Sequence, residues 1–275
     1  MTTFWHGIHL PNTTTETPDF GLIRRGRFTA AKCFDFTPHD AIRRVRGECG
    51  IDRWLVRLWW PGRPAEPCPY TAAMIPKLEG LVRGPLAGCE VVVEIHNEPN
   101  HCAGIEGWGH EFEHIANFQC WYMAVYWLLR REFPHEFATC YPGLANGDAH
   151  NDFEWYLRSG RALEVSDYVG VHTYWQGEHH LDWTWGLRYA QHFRRFTPER
   201  MMITEYGDSS FAGHGFDASE EARARRVYEW LVRVRQNRVA GAFWFILGGT
   251  EDWRGFRLTE RIAEAMAAAV GKEIA

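Results

Sequence analysis

Two glutamates that follow short apolar runs are the residues of this chain best placed to do chemistry. Glu98 stands in Asn97-Glu98-Pro99-Asn100 after the β-branched run 91–95, and Glu205 follows the run 201–204. Because these runs lack a helical period, they predict strands of a parallel sheet that helices cover on both faces. The proline stops its strand and leaves Glu98 at the tip. Enzymes built on parallel barrels hold their reactive groups at this end of the strands.

Carboxylates on two strands far apart in sequence predict a facing pair across the mouth of a barrel. Retaining hydrolysis of a glycosidic bond needs such a pair, in which one group protonates the leaving oxygen and the other attacks the anomeric carbon. We therefore expect the carboxyl groups of Glu98 and Glu205 to lie about 5 to 5.5 Å apart. For either glutamate alone, an acidic turn after a strand is the alternative interpretation.

The composition fits one domain over residues 1–275. Of the 275 residues, 45% are hydrophobic and 24% are charged, which is enough for one large core. The 30 basic and 35 acidic residues give a formal charge of -5 and are spread along the chain, which argues against a nucleic-acid partner. No apolar run approaches the roughly 18 residues of a membrane span. The chain has 14 tryptophans, and many follow predicted strands, where exposed rings suit a carbohydrate partner.

The cysteines and the N-terminus indicate a cellular location. The 7 cysteines are odd in number and irregularly spaced, without a CxxC pair, so we expect mostly reduced thiols. The first residues, Met1-Thr-Thr-Phe-Trp-His, contain neither a charged region nor an apolar region of a signal peptide. We expect a cytoplasmic protein, or a secreted one if a leader was removed from this chain. We expect no cofactor and no metal, and the sequence leaves the oligomeric state open.

Eight apolar runs alternate with helical patterns along the chain. The predicted strands are 5–10, 31–36, 53–60, 91–95, 136–141, 167–175, 201–206 and 239–247. The predicted helices are 19–25, one that opens at Thr37-Pro38 and stops between Gly47 and Gly50, 71–81, 111–132, 152–163, 187–196, 219–235 and 260–270. Eight such units predict an α/β fold, a single (β/α)8 TIM barrel. A doubly wound sheet would place G-x-G-x-x-G after the first strand, and the chain has none there.

The predicted strand ends carry a set of residues that resembles a known family. The set is Arg57 on the third strand, Asn97-Glu98-Pro99 on the fourth, His172-Thr-Tyr174 on the sixth, Glu205 on the seventh and Trp244 on the eighth. It resembles glycoside hydrolase clan A, the retaining (β/α)8 glycosidases with catalytic glutamates on strands four and seven. The departures are Thr204-Glu205-Tyr206-Gly207, where many members have Gly-Glu-Phe-Gly, and a third strand without the Asp-x-His of cellulase-like members. The Asn-Glu-Pro-Asn ending is more similar to the β-xylosidase and iduronidase family, so the resemblance leaves the family and the sugar open.

The resemblance implies a role for each matched residue. Glu98 would be the acid/base and Glu205 the nucleophile. Asn97 would bind the sugar 2-hydroxyl, Tyr174 would hold Glu205, and Arg57 would keep it ionised. Trp244 would form the floor of the subsite on the non-reducing side. His172, Trp60 and Trp175 are further candidates for substrate binding at strand ends.

Structural roles are the alternatives for the supporting residues. Arg57 would then form a salt bridge at the barrel rim, and Trp244 would be a core ring. His172 would be a buried histidine that binds a backbone carbonyl. Seven tryptophans after strand ends are nevertheless predicted to line mostly one face of the barrel, where a groove would favour endo action and a closed pocket exo action: Trp59, Trp60, Trp108, Trp175, Trp183, Trp185 and Trp253.

Two functions other than hydrolysis of a glycoside remain open from the sequence. His110-Glu111-Phe-Glu-His114 matches H-E-x-x-H, in which two histidines on one helix face bind zinc and the glutamate acts as base. It falls at the start of the fourth barrel helix, with no G-x-x-H downstream, so a solvated first turn is the simpler interpretation. The other alternative is a catalytically silent barrel that binds sugar, which would have no need of two converging carboxylates.

Overall fold

A closed barrel of eight parallel strands, paired in chain order, forms the centre of the molecule. The computed structural model describes residues 3–11, 16–64, 66–101, 106–146, 151–208, 219–248 and 256–273. The strands are β1 (Trp5–His9), β2 (Ala30–Phe34), β3 (Arg53–Arg57), β4 (Glu90–Glu94), β5 (Ala138–Tyr141), β6 (Tyr168–Trp175), β7 (Met201–Asp208) and β8 (Gly241–Trp244). The predicted (β/α)8 fold is therefore confirmed.

Helices connect the strands and cover the outside of the barrel. They are α1 (Phe20–Arg25), α2 (His39–Cys49), α3 (Pro67–Val82), α4 (Phe112–Glu132), α5 (Asp152–Arg158), α6 (Gly160–Val165), α7 (Glu220–Gln236) and α8 (Glu260–Gly271). The start of α7 shows why these sequences become helices. Ser219 accepts a hydrogen bond from the backbone of Ala222, and Glu220 and Glu221 occupy the first turn, where the helix dipole favours negative charge.

The structure corrects several predicted elements. The predicted helix 152–163 is two helices, α5 and α6, which meet at Ser159. The predicted helix 187–196 is a 3-10 helix, Arg188–Arg194. The helix predicted to open at Thr37-Pro38 begins at His39 with Pro38 in the cap position, and the Thr37 hydroxyl accepts a hydrogen bond from the backbone of Phe34.

The barrel interior is apolar at its N-terminal end. Side chains from seven strands and the residue before β8 pack there into one buried cluster: Trp5, Ala30, Leu55, Val92, Cys140, Met202, Ala240 and Phe243. Side chains on one face of a strand recur every second residue. Two positions further along β2, β3 and β4, this inward face carries Lys32, Arg57 and Glu94. The apolar layer thus supports a layer of charged side chains beneath the C-terminal mouth.

The described part of the chain has two further features that bear on the expectations from sequence. Six of the cysteines lie in it, and all six are free thiols. Among its helices, none combines the length and the apolar character needed to cross a bilayer.

Candidate active site

Glu98 sits on a tight turn at the C-terminal end of β4. The strand ends at Glu94, and both His96 (φ 94°) and Glu98 (φ 39°) adopt the left-handed backbone conformation that L-residues rarely take. The backbone N–H of Glu98 donates to Gly143 O at 2.9 Å, and its carbonyl accepts from the N–H of His101 at 3.0 Å. These bonds fix the turn, and the side chain of Glu98 remains 27% exposed. Strained backbone of this kind is frequent at functional sites.

Glu205 lies on β7 and is almost completely buried. Its side chain is 6% exposed, and Tyr174 on the neighbouring β6 donates its hydroxyl to Oε2 at 2.8 Å. Two cations contact Oε1, with Lys32 Nζ at 3.0 Å and Arg57 Nη1 at 3.5 Å. Each partner comes from a different strand, so barrel closure is what assembles this environment.

The two glutamates face each other beside His172. One oxygen of each carboxylate and one ring nitrogen of His172 all lie within 4.8 Å of one another. His172 Nδ1 shares a hydrogen bond of 2.7 Å with Glu98 Oε1 and lies 3.8 Å from Glu205 Oε2. His172 is opposite Glu205 in the β6–β7 pairing, next to an irregularity in the register. Glu98, Glu205 and His172, which are all predicted site residues, therefore lie together.

The charged neighbours control how these groups ionise. Burial alone would raise the pKa of Glu205, but Lys32, His172 and Arg57 together hold it well below its usual range. Burial lowers the pKa of His172, but the negative charge of Glu205 and the hydrogen bond to Glu98 outweigh burial, and the pKa is raised. Glu205 is therefore ionised at neutral pH, beside a histidine that holds its proton more strongly than usual.

Arg57 connects Glu205 to a second buried carboxylate. Its guanidinium forms an ion pair with Glu106, from the segment between β4 and α4, and contacts Glu205. Burial, as the largest influence, raises the pKa of Glu106, although Arg57 lowers it. Below them, His96 is fully buried, and its Nε2 lies 2.8 Å from Glu106 O. Arg57 therefore contacts Glu205 and forms a salt bridge with Glu106 at the same time, so its position fits both the predicted role beside Glu205 and the structural alternative.

A pocket of about 410 Å³ opens above the pair. Its lining residues come from β3, β6 and β7 and from the segments after β4, β5, β6 and β8: Arg57, Asn97, Glu98, His101, Ala145, Asn146, Tyr174, Trp185, Glu205, Phe245 and Phe256. The Oδ1 atoms of Asn97 and Asn146 are buried and have no hydrogen-bond partner in the described residues. Because unpaired buried polar atoms are costly, these two amides are suited to bind the polar groups of a ligand.

Three tryptophans predicted to bind substrate lie outside this pocket. Trp244 is fully buried, donates its indole N–H to Phe256 O at 3.0 Å, and packs against Tyr206. Trp175 is also fully buried and packs on Trp230. Trp60 follows the end of β3 and packs against Tyr70 and the core. The prediction that Trp244 forms the floor of a subsite is wrong in position, because a ring with no exposed face cannot stack on a sugar.

The predicted ring of tryptophans is only partly present. Trp185 lines the pocket and is 40% exposed, whereas Trp108 is buried against Phe118 and Trp121. Trp183 is exposed but is not part of the pocket lining, and Trp253 falls outside the described residues. The aromatic wall next to Glu205 is instead made by Phe245 and Phe256, whose ring centroids are 5.8 Å apart. The described surface is a pocket rather than a long aromatic groove.

The H-E-x-x-H residues do not form the arrangement that a zinc peptidase requires. His110 and Glu111 precede α4, which begins at Phe112, so the two histidines do not share a helix face. The ring nitrogen Nδ1 of His114 accepts a hydrogen bond from the backbone of Glu111 and completes a capping box. In the described residues, only Glu98, His172 and Glu205 converge closely enough to bind a metal. Lys32 and Arg57 already neutralise Glu205, which disfavours a divalent cation there.

Lys32 and Glu94 are site residues that sequence reasoning missed. Lys32 Nζ lies 2.8 Å from Glu94 Oε2 and 3.0 Å from Glu205 Oε1, and both side chains of the Lys32–Glu94 pair have no exposed surface. A signal was available, because both residues stand inside or beside apolar runs predicted as buried strands. A charge in such a run needs a partner, and the inward face of a barrel is where partners from other strands are found.

Comparison with known proteins finds similarity at the level of fold. No protein-family model matches the sequence, and no curated protein matches it. The solved structures that match include an endo-β-1,3-glucanase of glycoside hydrolase family 128 (subgroup I) from Amycolatopsis mediterranei in complex with laminaritriose. It has 15% sequence identity and a TM-score of 0.62, with 97% of this chain and 100% of that chain covered.

Two other matching structures belong to longer chains. One is a trimodular endoglucanase of the GH5_4 subfamily, with 13% identity, a TM-score of 0.61 and 97% of this chain covered. The other is a calcium-binding mutant of β-glucuronidase 2 from Bacteroides uniformis, with 15% identity, a TM-score of 0.64 and 93% of this chain covered. This chain spans 60% of the first and 32% of the second. These similarities confirm the barrel fold, and the glycoside hydrolase names belong to those proteins.

Proposed function

We propose that this chain is a retaining glycoside hydrolase that cleaves β-glycosidic bonds, with Glu98 as acid/base and Glu205 as nucleophile. The observation that carries the proposal is the close approach of the two carboxylates at the mouth of the barrel, where one oxygen of Glu98 and one oxygen of Glu205 lie within 4.8 Å of each other. Retaining enzymes place the pair about 5 to 5.5 Å apart, whereas inverting enzymes need roughly 6.5 to 9.5 Å to admit a water molecule. The separation therefore favours direct attack by one carboxylate.

The unequal surroundings of the two glutamates support this division of roles. A nucleophile must be ionised, and Glu205 is buried against Lys32 and Arg57, which hold its pKa well below the usual range. An acid/base must reach the leaving oxygen and later a water molecule, and Glu98 is the more exposed of the pair. His172 orients Glu98 through the 2.7 Å hydrogen bond.

The proposed reaction has two displacements. In the first, Oε2 of Glu205 attacks the anomeric carbon, the bond to the leaving oxygen breaks, and Glu98 gives that oxygen its proton. In the second, Glu98 takes a proton from water, the oxygen of that water attacks the anomeric carbon, and the bond to Glu205 breaks. Each displacement inverts the anomeric carbon, so the sugar is released with its β configuration.

The pocket supports binding of a short stretch of carbohydrate. Asn97 is next to Glu98, lines the pocket and has an unpaired Oδ1, which fits a group that binds the sugar 2-hydroxyl. Trp185, Phe245 and Phe256 supply apolar surface on which sugar rings can pack. The matching structures of glucanases and a glucuronidase make β-glucans and β-glucuronides the first substrates to test.

A screen of wild type and Glu205→Ala tests the proposal. Both proteins would be assayed on aryl β-glucosides, β-xylosides and β-glucuronides and on β-1,3- and β-1,4-glucans, with Glu113→Ala, an exposed carboxylate on α4, as the matched control. We expect cleavage by wild type and the control, no cleavage by Glu205→Ala, and a first product of β configuration by proton NMR. An α-configured first product would contradict retention. Binding of a glycan without cleavage of any substrate would instead identify a silent sugar-binding barrel.

A further inference from the structure

Lys32 is a buried cation, and a mechanism with two glutamates does not by itself require such a cation. It lies on β2, its side chain has no exposed surface, and its ammonium group has three acceptors within reach. These are Glu94 Oε2 at 2.8 Å, Glu205 Oε1 at 3.0 Å and the carbonyl oxygen of Thr204 at 3.3 Å. The contacts with Glu205 and Thr204 are hydrogen bonds, and the contact with Glu94 is an ion pair. Because its side chain is fully buried and is not part of the pocket lining, Lys32 cannot touch a sugar in the pocket.

The contacts of Glu205 divide between its two oxygens. Oε1 faces the barrel interior, where Lys32 is its nearest cation and Arg57 the next. Oε2 faces the pocket side, where it accepts from Tyr174 and lies 3.8 Å from His172. A carboxylate that is held firmly at one oxygen can present only the other one to a substrate, so the contact with Lys32 determines which oxygen is available.

Glu94 balances the charge of Lys32. It is fully buried on β4, and its Oε1 accepts a hydrogen bond of 3.1 Å from the backbone N–H of Gly143. Burial raises the pKa of Glu94, but Lys32 and His172 outweigh burial and lower it, so Glu94 is ionised. One cation therefore lies between two carboxylates that compete for it, and Glu94 weakens the field that Lys32 exerts on Glu205.

We propose that Lys32 is a positioning residue of this active site. It anchors Oε1 of Glu205, interacts with Glu94 and Glu205 at the same time, and keeps the nucleophile ionised while Oε2 attacks. This inference rests on the proposed function for its catalytic part. Its electrostatic part stands on the geometry alone, because the contacts among Lys32, Glu94 and Glu205 exist whatever the substrate is.

The other groups that face Glu205 set the size of the expected effect. From β1, His9 Nε2 lies 4.0 Å from Oε1, but burial and Lys32 lower the pKa of His9 to about 3, so it is neutral. Arg57 on β3 and His172 on β6 add positive charge. The carboxylates that face the same space from β4 and the segment after it are Glu94, Glu98 and Glu106. Removal of Lys32 therefore leaves Glu205 with fewer cations and the same carboxylate neighbours.

Titration of Lys32→Met and Glu94→Gln tests the inference. The carboxyl carbon of Glu205 would be followed by ¹³C NMR, and its signal assigned by its loss in Glu205→Gln. The decrease of kcat/KM at low pH, the acidic limb of its pH profile, would be measured with a dinitrophenyl β-glycoside. The dinitrophenyl leaving group needs little protonation to depart. Without Lys32, we expect Glu205 and the acidic limb to titrate at least one pH unit higher, a tenfold loss of ionised nucleophile below both pKa values. Without the charge of Glu94, we expect both to move to lower pH.

The controls separate electrostatics from folding and from the proposed function. Lys272→Met removes an exposed cation near the C-terminus and should leave the limb in place. Because removal of one member of a buried ion pair destabilises strongly whereas removal of both is often neutral, Lys32→Met/Glu94→Gln is compared with Glu94→Gln if the single lysine variant does not fold. The double variant should titrate higher.

Each possible outcome of these experiments supports or overturns a different part of the proposal. An active wild type in which neither variant moves the titration of Glu205 overturns the role of Lys32. Equal loss of activity at every pH, with an unmoved limb, would mean that Lys32 is only structural. A wild type that cleaves no glycoside overturns the proposed function, while a shifted NMR titration in Lys32→Met would still uphold the electrostatic role of Lys32.

Discussion

At the scale of single residues, the site depends on two carboxylates with opposite surroundings. Glu205 has a hydroxyl at Oε2 and cations at Oε1, whereas Glu98 has one histidine and an opening to the pocket. Chemically identical side chains can serve as nucleophile and as acid/base when their environments differ in this way. The roles can be separated by deleting each carboxylate in turn.

Deletion of Glu98 and of Glu205 should give opposite stereochemical results with added azide. In Glu98→Ala, a dinitrophenyl glycoside should still form the covalent intermediate, hydrolysis of that intermediate should become limiting, and KM should fall. Azide should then speed turnover and give a β-glycosyl azide. In Glu205→Ala, azide attacks from the vacated side and gives the α product. Product configuration by NMR is the measurement, and the reverse pairing would mean that the two roles are exchanged.

The Tyr174 hydroxyl should matter to catalysis more than to stability. Tyr174→Phe removes the donor 2.8 Å from Glu205 Oε2, and hydrogen bonds to charged groups contribute roughly 1.5 to 3 kcal/mol. We expect kcat/KM to fall about 10- to 100-fold. The matched control is Tyr122→Phe, which loses a buried hydrogen bond to Ser166 of 2.7 Å in the helical layer. The control should lower the unfolding midpoint with little change in kcat/KM, and equal kinetics in the two variants would contradict a role for Tyr174.

At the scale of elements, the loop after β5 contributes backbone groups as well as side chains to the site. Gly143 donates its N–H to Glu94 Oε1 and accepts from the N–H of Glu98. This close approach requires glycine, because a Cβ at position 143 would lie 2.3 Å from His172 Nε2 and 2.6 Å from Thr204 Oγ1. One residue without a side chain therefore fits between the ends of β4, β6 and β7 at the site.

Gly143→Ala should displace His172 from Glu98. Neither His172 nor Thr204 has room to retreat, since both are buried, so we expect kcat/KM to fall at least tenfold, as is usual when a catalytic group is misplaced by about 1 Å. The measurement is kcat/KM together with the thermal midpoint. Gly47→Ala is the control, because its Cβ would meet nothing within 4 Å on the exposed side of α2. Full activity in Gly143→Ala would show that this contact does not hold the site.

At the scale of the whole molecule, four buried histidines make the barrel sensitive to acid. Burial lowers the pKa of His6 and His192 to about 4 and that of His9 and His96 to about 3. In the unfolded chain these residues bind protons near pH 6.5, whereas in the folded protein they stay neutral until far lower pH. The unfolded state therefore binds more protons in this window, and stability falls as pH falls.

The free energy of unfolding should decrease steeply below about pH 6.5. Each of the four histidines lowers the free energy of unfolding by about 1.4 kcal/mol for each pH unit between its unfolded and its folded pKa. His172 acts in the opposite direction, because its raised pKa gives stability that is present in acid and lost as pH rises through that pKa. Urea unfolding at pH 7.5, 6 and 5 checks this, with His6→Gln as a variant that should show a shallower pH dependence. Equal stability at pH 7.5 and pH 5 would contradict the assignment.

The buried carboxylates also make the free energy of unfolding depend on pH. The pKa values of Glu94 and Glu205 are lowered in the folded state, so their stabilising contribution is present above the usual glutamate pKa and is lost as pH falls below it. Acid should therefore weaken both the fold and the nucleophile, and the two effects can be separated because unfolding and kcat/KM are measured independently.

Local sequence determined the barrel and the two glutamates. The β-branched runs, the alternation with helical periods and Pro99 after Glu98 are properties of adjacent residues, and they were enough to predict eight strands and the carboxylates at the ends of two of them. The predicted partners Arg57, Tyr174 and His172 also lie beside the pair, because strand ends in a barrel converge on one face.

Tertiary structure alone decided which side chains enter the pocket and what lies beneath it. On β8, Phe243 belongs to the inward-facing cluster, so by alternation Trp244 faces outward and is buried, while Phe245 lines the pocket. The pairings of β7 with β6 and with β8 are both irregular around Thr204. A shift of one residue exchanges the two faces of a strand, and sequence does not reveal where such a shift occurs. The roles of Lys32 and Glu94 likewise depend on closure of the barrel, which brings β2, β4 and β7 together. Their charges interact across the barrel and not along the chain.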